Sequence, residues 1–353
     1  MCTQKGQYME GRVTFPNLHA PLRTNDSFRS QEDKHHHNGL SPFLPLSLDM
    51  VMCFPTEYMH LVCLGVMRRM LRNWVSRGQG PRTCRLGRFE RCKLNDHLRE
   101  CASAFPSCFQ RKPRGTEELD RWKASEFRTF LLYVGPVVLK SVLPASQYKH
   151  FLMFHVAITI LVSPQYHVEY NQFARDLLRY FVQQFGKLYG TKQLVYNVHT
   201  LSHLAEQCLV HGPLDEFSAF PFENHLGKMK KLLRSSNKPL SQLSRRLSEM
   251  RHLTPKVQKQ GPRELKAGDC FLLDDGPAVV VEVNDSSCKA AALQNPRDFY
   301  KVPLQSSWLR IFKCDASSGD VKTWRLEDLR GKAQCLKLRR KRNYIVFPLL
   351  HLQ

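Results

Sequence analysis

A single carboxylate lies at the start of a basic amphipathic segment at residues 220–234. The spacing of Leu226, Met229 and Leu233 predicts an apolar stripe along a helix. The other face of this helix is polar and holds Glu223, Gly227, Lys230 and Arg234. A carboxylate in this position can bind a divalent metal ion, and the neighbouring cations can bind phosphate. The alternative is a solvated surface helix with an ion pair.

A second acidic group precedes an apolar segment at residues 55–74. The pattern predicts a helix with Thr56 as its N-cap, so Glu57 and His60 can face one site from its first turn. The alternative is an ordinary acid at the positive end of a helix dipole beside a partly buried imidazole. Three arginines follow on the same predicted helix: Arg68, Arg69 and Arg72.

Two other groups of histidines could suggest a metal site. His199 and His203 are four residues apart, but the zinc hydrolase pattern needs Glu after the first histidine, and Thr200 is there. That enzyme class is therefore not predicted. The adjacent histidines at 35–37 cannot easily face one ion, which favours a solvated loop. The sequence has no glycine-rich phosphate loop and no G-x-S-x-G motif.

Composition narrows the class of partner and the compartment. The chain has 353 residues and a formal net charge of +22, from 53 Lys+Arg against 31 Asp+Glu. This excess predicts an acidic partner, most simply a nucleic-acid backbone, although ribosomal and membrane-surface proteins share it. The 12 cysteines form no C-x-x-C pair, which favours reduced thiols in a nuclear or cytosolic protein.

No signal peptide and no membrane segment are predicted. Residues 1–7 lack an apolar core. The most apolar run, at 151–162, contains His155 and is shorter than the ~20 residues that span a bilayer.

Periodicity and punctuation divide the chain into four parts. Residues 1–75 are predicted to contain one short strand at 13–15, a buried strand or turn at 44–52 and the Glu57 helix. Residues 76–215 are predicted to form a basic loop followed by an all-helical region, and residues 216–254 two basic helices. Residues 262–353 are predicted to form a small β-rich domain. Strands of this last part are predicted at 271–273, 278–283, 308–312, 321–324 and 344–347. The basic run at 337–342 fits phosphate contact, nuclear import or a protected strand edge.

Two blocks of this sequence resemble CACTA (En/Spm-like) transposases of animal genomes. Residues 54–67 look like the D-x-M-H block of that family, and residues 217–224 resemble its later F-E-N/R block. Residues 122–140 and 196–203 are similar to the stretch between the blocks. The resemblance covers roughly residues 1–253 in the family's order, and the β-rich tail is less diagnostic.

The resemblance implies an RNase H-like core with a D-D-E triad that binds two Mg²⁺ or Mn²⁺ ions and cleaves and joins DNA strands. By position, Glu223 matches the closing Glu, Glu57 stands at the second Asp, and His60 matches the histidine three residues further on. Residues 76–215 match an insertion between the two acids.

The sequence departs from the family pattern at two acids. The first catalytic Asp has no counterpart, since Asp26 and Asp33 lie in polar loop sequence. Glu57 is one methylene longer than the family's Asp, and misplacement of a catalytic group costs on the order of 10²-fold per ångström. Both departures indicate a decayed or truncated copy, one that lacks the family's N-terminal part and is expected to be catalytically inactive.

We therefore expect an α/β chain with a partial RNase H-like core, a large all-α insertion and a small β-rich C-terminal domain. The expected function is that of a transposase-derived nuclear or cytosolic protein that binds DNA, with an oligomer allowed. The metal ligands of an active site would be Glu57 and Glu223, holding Mg²⁺ or Mn²⁺. The expected phosphate contacts, without sequence readout, are Arg68, Arg69, Arg72, Lys228, Lys230, Lys231 and Arg234.

Two alternatives remain open at this point. The first is a non-enzymatic nuclear DNA-binding or protein-interaction module that kept the basic surface. The second is an active nuclease whose missing acid comes from another chain.

Overall fold

The computed structural model describes residues 2–251 and 265–350, with gaps at 4, 35, 77, 79, 104, 106–108, 110, 275, 285, 318, 327–328, 330 and 339–342. Helices dominate the described residues up to 251, and antiparallel strands dominate those after 270. The predicted mixture of helices and strands with a β-rich C-terminal region is therefore confirmed. In the described part of residues 1–75 the sheet is a two-stranded hairpin, so an RNase H-like core is not confirmed.

The N-terminal hairpin pairs β1 (Gln7–Met9) with β2 (Arg12–Thr14). Glu10 and Gly11 connect the strands with φ values of 44° and 81°, the left-handed conformation that two-residue hairpin turns favour. The backbone N–H of Phe15 donates to the carbonyl oxygen of Leu194 at 2.7 Å, which attaches the hairpin to the helical region.

Residues 44–52 form turns, and the alternative of a buried strand is wrong. The side chain of Asp49 stabilises the turn because its Oδ1 accepts the N–H groups of Val51 and Met52, each at 2.8 Å. Leu46 and Leu48 in this segment are exposed. Met50 is buried, but the other apolar side chains of the segment are partly or fully exposed, so its apolar composition overstates its burial.

The described residues of the helical region form twelve α-helices, two π-helical segments and four short 3₁₀ segments. The α-helices are α1 (Asn25–Arg29), α2 (Arg68–Val75), α3 (Arg88–Ser103), α4 (Ala124–Thr129), α5 (Gly135–Val138), α6 (Ala145–Val162), α7 (Tyr166–Glu169), α8 (Asn171–Tyr189), α9 (Tyr196–Thr200), α10 (Leu204–His211), α11 (Phe220–Leu232) and α12 (Pro239–Arg251). The π-helical segments are Met59–Met67 and Phe130–Val134, and the 3₁₀ segments are Arg82–Cys84, Thr116–Arg121, Thr191–Gln193 and Leu201–His203.

The centre of this region is α6, which packs along α8 and is buried on almost all sides. Buried polar groups need partners, and each of two buried histidines of α6 contacts a backbone carbonyl oxygen through one ring nitrogen. His150 contacts the carbonyl oxygen of Phe181 at 2.9 Å. His155 donates through Nδ1 to the carbonyl oxygen of Leu131 at 2.9 Å. Burial lowers the pKa of each imidazole to about 4, so both are neutral at neutral pH.

The helix predicted at 55–74 begins later than expected, at Met59. Its first part is the π-helical segment Met59–Met67, which continues directly into α2. Thr56 is not its N-cap, since its hydroxyl accepts from the Gln207 side-chain amide at 3.2 Å. Gly65 allows this segment to lie against α9: a Cβ at position 65 would fall 2.7 Å from Asn197 Nδ2 and 2.8 Å from the His60 carbonyl oxygen.

In the C-terminal region, the described residues form one eight-stranded antiparallel sheet with the order β6-β7-β10-β9-β3-β4-β5-β8. Its strands are β3 (Cys270–Leu273), β4 (Gly276–Val283), β5 (Ser287–Ala292), β6 (Gln294–Asp298), β7 (Phe312–Asp315), β8 (Val321–Arg325), β9 (Lys332–Leu338) and β10 (Asn343–Pro348). Four of the five predicted strands are found. The strand predicted at 308–312 is wrong for most of its length, because Ser306–Leu309 forms a 3₁₀ turn.

The sheet and the helices share one hydrophobic core, which includes Phe299, Ile311 and Phe347 of the C-terminal region. Polar contacts reinforce the junction. The hydroxyl of Tyr300 donates to His155 Nε2 at 3.1 Å, and the Leu350 N–H donates to the Tyr133 hydroxyl at 3.1 Å. Lys140 donates to the carbonyl oxygen of Phe299 at 2.9 Å.

Helices α11 and α12 project from this core. All 13 residues of α11 are described, and none of them is buried. Phe220 is partly buried against the core. The apolar residues Phe222 and Leu226 are 71% and 56% exposed. Of the stripe predicted for this helix, Leu226 is exposed, whereas Met229 and Leu233 are partly buried and Leu233 lies just after the helix ends.

Candidate functional site

The two blocks around Glu57 and Glu223 meet at one groove of about 780 Å³, here called the central groove. Its walls come from the Met59–Met67 segment, α2, the 109–133 region and the first turn of α11. The polar lining includes His60, Arg68, Arg111, Asp120, Lys123, Arg128, Glu223 and Asn224. Its aromatic lining consists of Phe109, Trp122, Tyr133 and Phe220.

Glu57 lies behind the wall of this groove and joins the two blocks. Its Oε1 accepts the N–H of Met59 at 2.5 Å and the N–H of Ala219, 162 residues away, at 2.6 Å. Its Oε2 accepts the N–H of His60 at 2.8 Å and the Nδ1 of the same residue at 2.7 Å. The carboxylate therefore caps the first turn of its own helix and anchors the residue before α11.

Glu223 follows Ala219 by one helical turn and lines the central groove together with His60. The structure thus brings the three predicted catalytic residues, Glu57, His60 and Glu223, into one neighbourhood. They do not form a group of three ligand atoms within 4.8 Å of one another among the described residues. Asp120 is another acid of the groove, but Arg72 donates to it at 2.6 Å and lowers its pKa.

These residues do not fit a two-metal centre. Both oxygens of Glu57 already accept N–H groups, and a carboxylate bound in this way has little capacity for a cation. A two-metal site needs carboxylates that bridge or flank both ions. Glu223 supplies one exposed carboxylate to the groove.

The cations of the central groove differ in how firmly they are held. Arg128 forms an ion pair with Asp215 and lies 5.8 Å from the centre of the Phe220 ring. The Nε of Arg68 is buried and has no hydrogen-bond partner among the described residues. Arg111 and Lys123 are exposed. The groove therefore offers positive charge at one ion-paired side chain, Arg128, and at two exposed ones, Arg111 and Lys123, while Arg68 is partly buried.

The seven residues predicted to contact phosphate fall in different places. Arg68 lines the central groove, whereas Arg72 is paired with Asp120. Arg69 donates to Gln193 Oε1 at 2.9 Å, and burial together with the charges of Arg12 and Arg72 lowers its pKa. The remaining four are exposed on and just after α11 and do not line the groove: Lys228, Lys230, Lys231 and Arg234.

The sequence did not predict a second group of polar side chains, which the structure brings together. Among the residues that the structure describes, the metal-type group of three is Cys2, His199 and His203, whose ligand atoms lie within 4.8 Å of one another. The two histidines are visible in the sequence, but Cys2 lies 197 residues before His199. No local spacing rule connects residues so far apart.

Comparisons with known proteins give one family match, which covers most of the C-terminal region. Residues 265–349 match a family model described as a domain of unknown function, DUF8592. No curated protein and no solved structure matches the chain. The match begins just before β3 and ends just after β10, so it corresponds to the eight-stranded sheet.

None of the described helices has the length and apolar character needed to cross a membrane.

Proposed function

We propose that this chain is a transposase-derived protein that binds a DNA strand in the central groove without cleaving it. The observation that carries the proposal is the lining of the groove, where four cations lie among four aromatic residues, of which Phe109 and Phe220 are partly exposed and Trp122 and Tyr133 are buried. Channels for single-stranded nucleic acid use this combination, because cations hold the backbone and rings stack on bases. The net charge of +22 supports an anionic partner of this kind.

The proposal excludes cleavage because the carboxylate of Glu57 is already engaged by hydrogen bonds. This carboxylate accepts N–H groups from two blocks of the chain, which makes it a structural acid in this proposal. Descent from a partial RNase H-like core is part of the same proposal and rests on the resemblance of the two blocks and on their meeting at one groove. Nuclear localisation through the basic run at 337–342 also remains a proposal, and residues 339–342 lie outside the described part.

The test measures binding of fluorescent single-stranded and duplex DNA across a range of salt concentrations. The variant is Arg111→Gln with Lys123→Gln, which removes the two exposed cations of the groove. Its matched control is Lys149→Gln with Lys187→Gln, two exposed lysines that do not line the groove. Each phosphate contact on a single strand contributes a salt slope of about 0.7, so losing two should weaken binding by ~25-fold at 0.1 M salt.

Equal weakening by the control pair would contradict the location of the site. Nicking of a supercoiled plasmid with Mg²⁺ or Mn²⁺, abolished by Glu223→Ala, would contradict the absence of cleavage. The two outcomes test separate parts of the proposal, since the first concerns binding and the second concerns chemistry.

The exposed apolar side of α11 favours protein interaction as a second candidate function. Phe222 and Leu226 are more than half exposed, and a partner that covers them would gain hydrophobic free energy. Phe222→Gln with Leu226→Gln should then reduce association of the chain in light scattering while leaving DNA binding unchanged. Loss of DNA binding in this variant would instead assign α11 to the DNA surface.

A further inference from the structure

A cavity of about 510 Å³ lies on another part of the molecule, between the N-terminal hairpin and α9. Cys2, His199 and His203 line it together. Their ligand atoms lie within 4.8 Å of one another, and Cys2 Sγ is 3.0 Å from His199 Nε2. Both histidines are buried and Cys2 is half-buried, so the group is largely shielded from water.

His199 is oriented as metal-binding histidines are. Its Nδ1 lies 3.0 Å from the carbonyl oxygen of Phe15, to which it donates. That bond directs the lone pair of Nε2 towards Cys2 Sγ. A backbone carbonyl on the second ring nitrogen is the usual outer support of a ligating imidazole.

His203 supplies an independent indication. Its Nε2 is buried and has no hydrogen-bond partner among the described residues. A buried polar atom without a partner is costly, and the few that occur in proteins call for a ligand, water or ion. The ring of His203 lies 5.4 Å from that of His199, centre to centre, so one ion can reach both.

We propose that Cys2, His199 and His203 bind a Zn²⁺ ion, with the fourth coordination position open to the adjacent cavity. One thiolate and two imidazoles suit zinc, whereas Mg²⁺ and Mn²⁺ prefer oxygen ligands. Tetrahedral zinc separates its nitrogen and sulfur ligands by about 3.3–3.7 Å. The ligand atoms therefore need shifts of only a few tenths of an ångström to about 1 Å.

The ion would attach the start of the chain to the helical region. Without metal, Cys2 is held by its contact with His199 and by a backbone bridge to Leu22, and the nearby hairpin by the Phe15 to Leu194 bond. Metal binding couples to folding, because the ligands are far apart in the unfolded chain. This proposal is independent of DNA binding in the central groove, since the two sites share no lining residue.

The experiment uses the full chain without an affinity tag, purified in the absence of imidazole and chelators. We expect one equivalent of bound zinc by elemental analysis. The cobalt-substituted protein should show the charge-transfer absorption that a thiolate ligand produces. Chelator should lower the melting temperature of the wild-type protein.

The decisive variant is Cys2→Ser, because Cys2 is half-buried and Ser is nearly isosteric. It should weaken zinc binding by more than about 100-fold, the upper end of the loss caused by removing an outer-shell partner. It should also lack the thiolate absorption and show no change in melting temperature with chelator. His203→Gln should give the same result, with circular dichroism reporting whether it folds.

Two matched controls separate this site from other thiols and imidazoles. Cys53→Ser removes an exposed thiol, and His36→Asn with His37→Asn removes two neighbouring histidines, one of which lines the same cavity. Both controls should keep full zinc affinity. Full affinity in folded Cys2→Ser, loss of binding in the His36 and His37 control, or a folded wild-type chain that takes neither zinc nor cobalt would overturn the proposal.

Discussion

Replacing Glu57 by alanine tests whether this residue is structural or catalytic. The carboxylate accepts three backbone N–H groups and one imidazole nitrogen, and one of these bonds connects the Met59–Met67 segment to the start of α11. Alanine removes every acceptor at once. A structural acid should therefore give a large loss of stability, whereas a catalytic acid often costs little or nothing in stability when it is removed.

The expected loss can be worked out from these bonds. Loss of the helix cap costs about 1 kcal/mol, and the N–H of Ala219 left without its charged acceptor costs roughly 1–3 kcal/mol. We expect a decrease of about 2–4 kcal/mol in the free energy of unfolding, towards the lower end because the Glu57 side chain is 25% exposed. Unfolding entropy is about 2.1 cal/mol/K per residue. For 353 residues the melting temperature should then fall by about 3–5 °C.

The assay is thermal and urea unfolding at neutral pH, with and without Mn²⁺. The matched control is Glu223→Ala, which removes an exposed acid of the same groove and should stay within about 0.5 kcal/mol of wild type. Added Mn²⁺ should leave all three proteins unchanged. The reasoning would be refuted if Glu57→Ala were as stable as the control and if Mn²⁺ stabilised wild type but neither variant.

Three further predictions concern stability. Burial lowers the pKa of His155 to about 4, so the unfolded chain gains a proton before the folded one as pH falls. This residue alone should contribute about 2 kcal/mol to the stability that urea unfolding shows to be lost between pH 7 and pH 5, and His155→Phe should reduce the loss by that amount. Arg114→Ala should lower the free energy of unfolding by about 3–5 kcal/mol, because the buried carboxylate of Glu126 would lose the guanidinium that lies 2.7 Å away. A urea unfolding curve unchanged from wild type would contradict this prediction. Gly65→Ala should cost about 1–3 kcal/mol by crowding Asn197, which a lowered melting temperature would show.

Strands and long helices of this chain could be predicted because their patterns are local. The apolar runs at 271–273 and 278–283 led directly to β3 and β4. The error at 308–312 has a physical cause: Trp308 lies in a turn and is 54% exposed, so its bulk does not indicate a strand. Apolar composition at 44–52 misled for the same reason, since turn bonds from Asp49 replace burial there.

The candidate sites were less predictable because their contacts are distant along the chain. The spacing of Glu57 and His60 correctly placed both side chains in one helical turn. Nothing local indicated that Glu57 would accept the N–H of Ala219. In the same way, the position of Cys2 beside His199 depends on the path of the N-terminal hairpin rather than on any motif.

The hydroxyl of Tyr133 accepts the N–H of Leu350, while its ring lines the central groove. A feature at the far end of the polypeptide therefore holds part of the wall that we assign to DNA. Deleting residues 343–350, which include β10 and Leu350, would disturb that wall although none of the described residues among them lines the groove. The sheet thus supports the groove, and under the proposed function a version of this chain without residues 343–350 should bind DNA more weakly than the full chain.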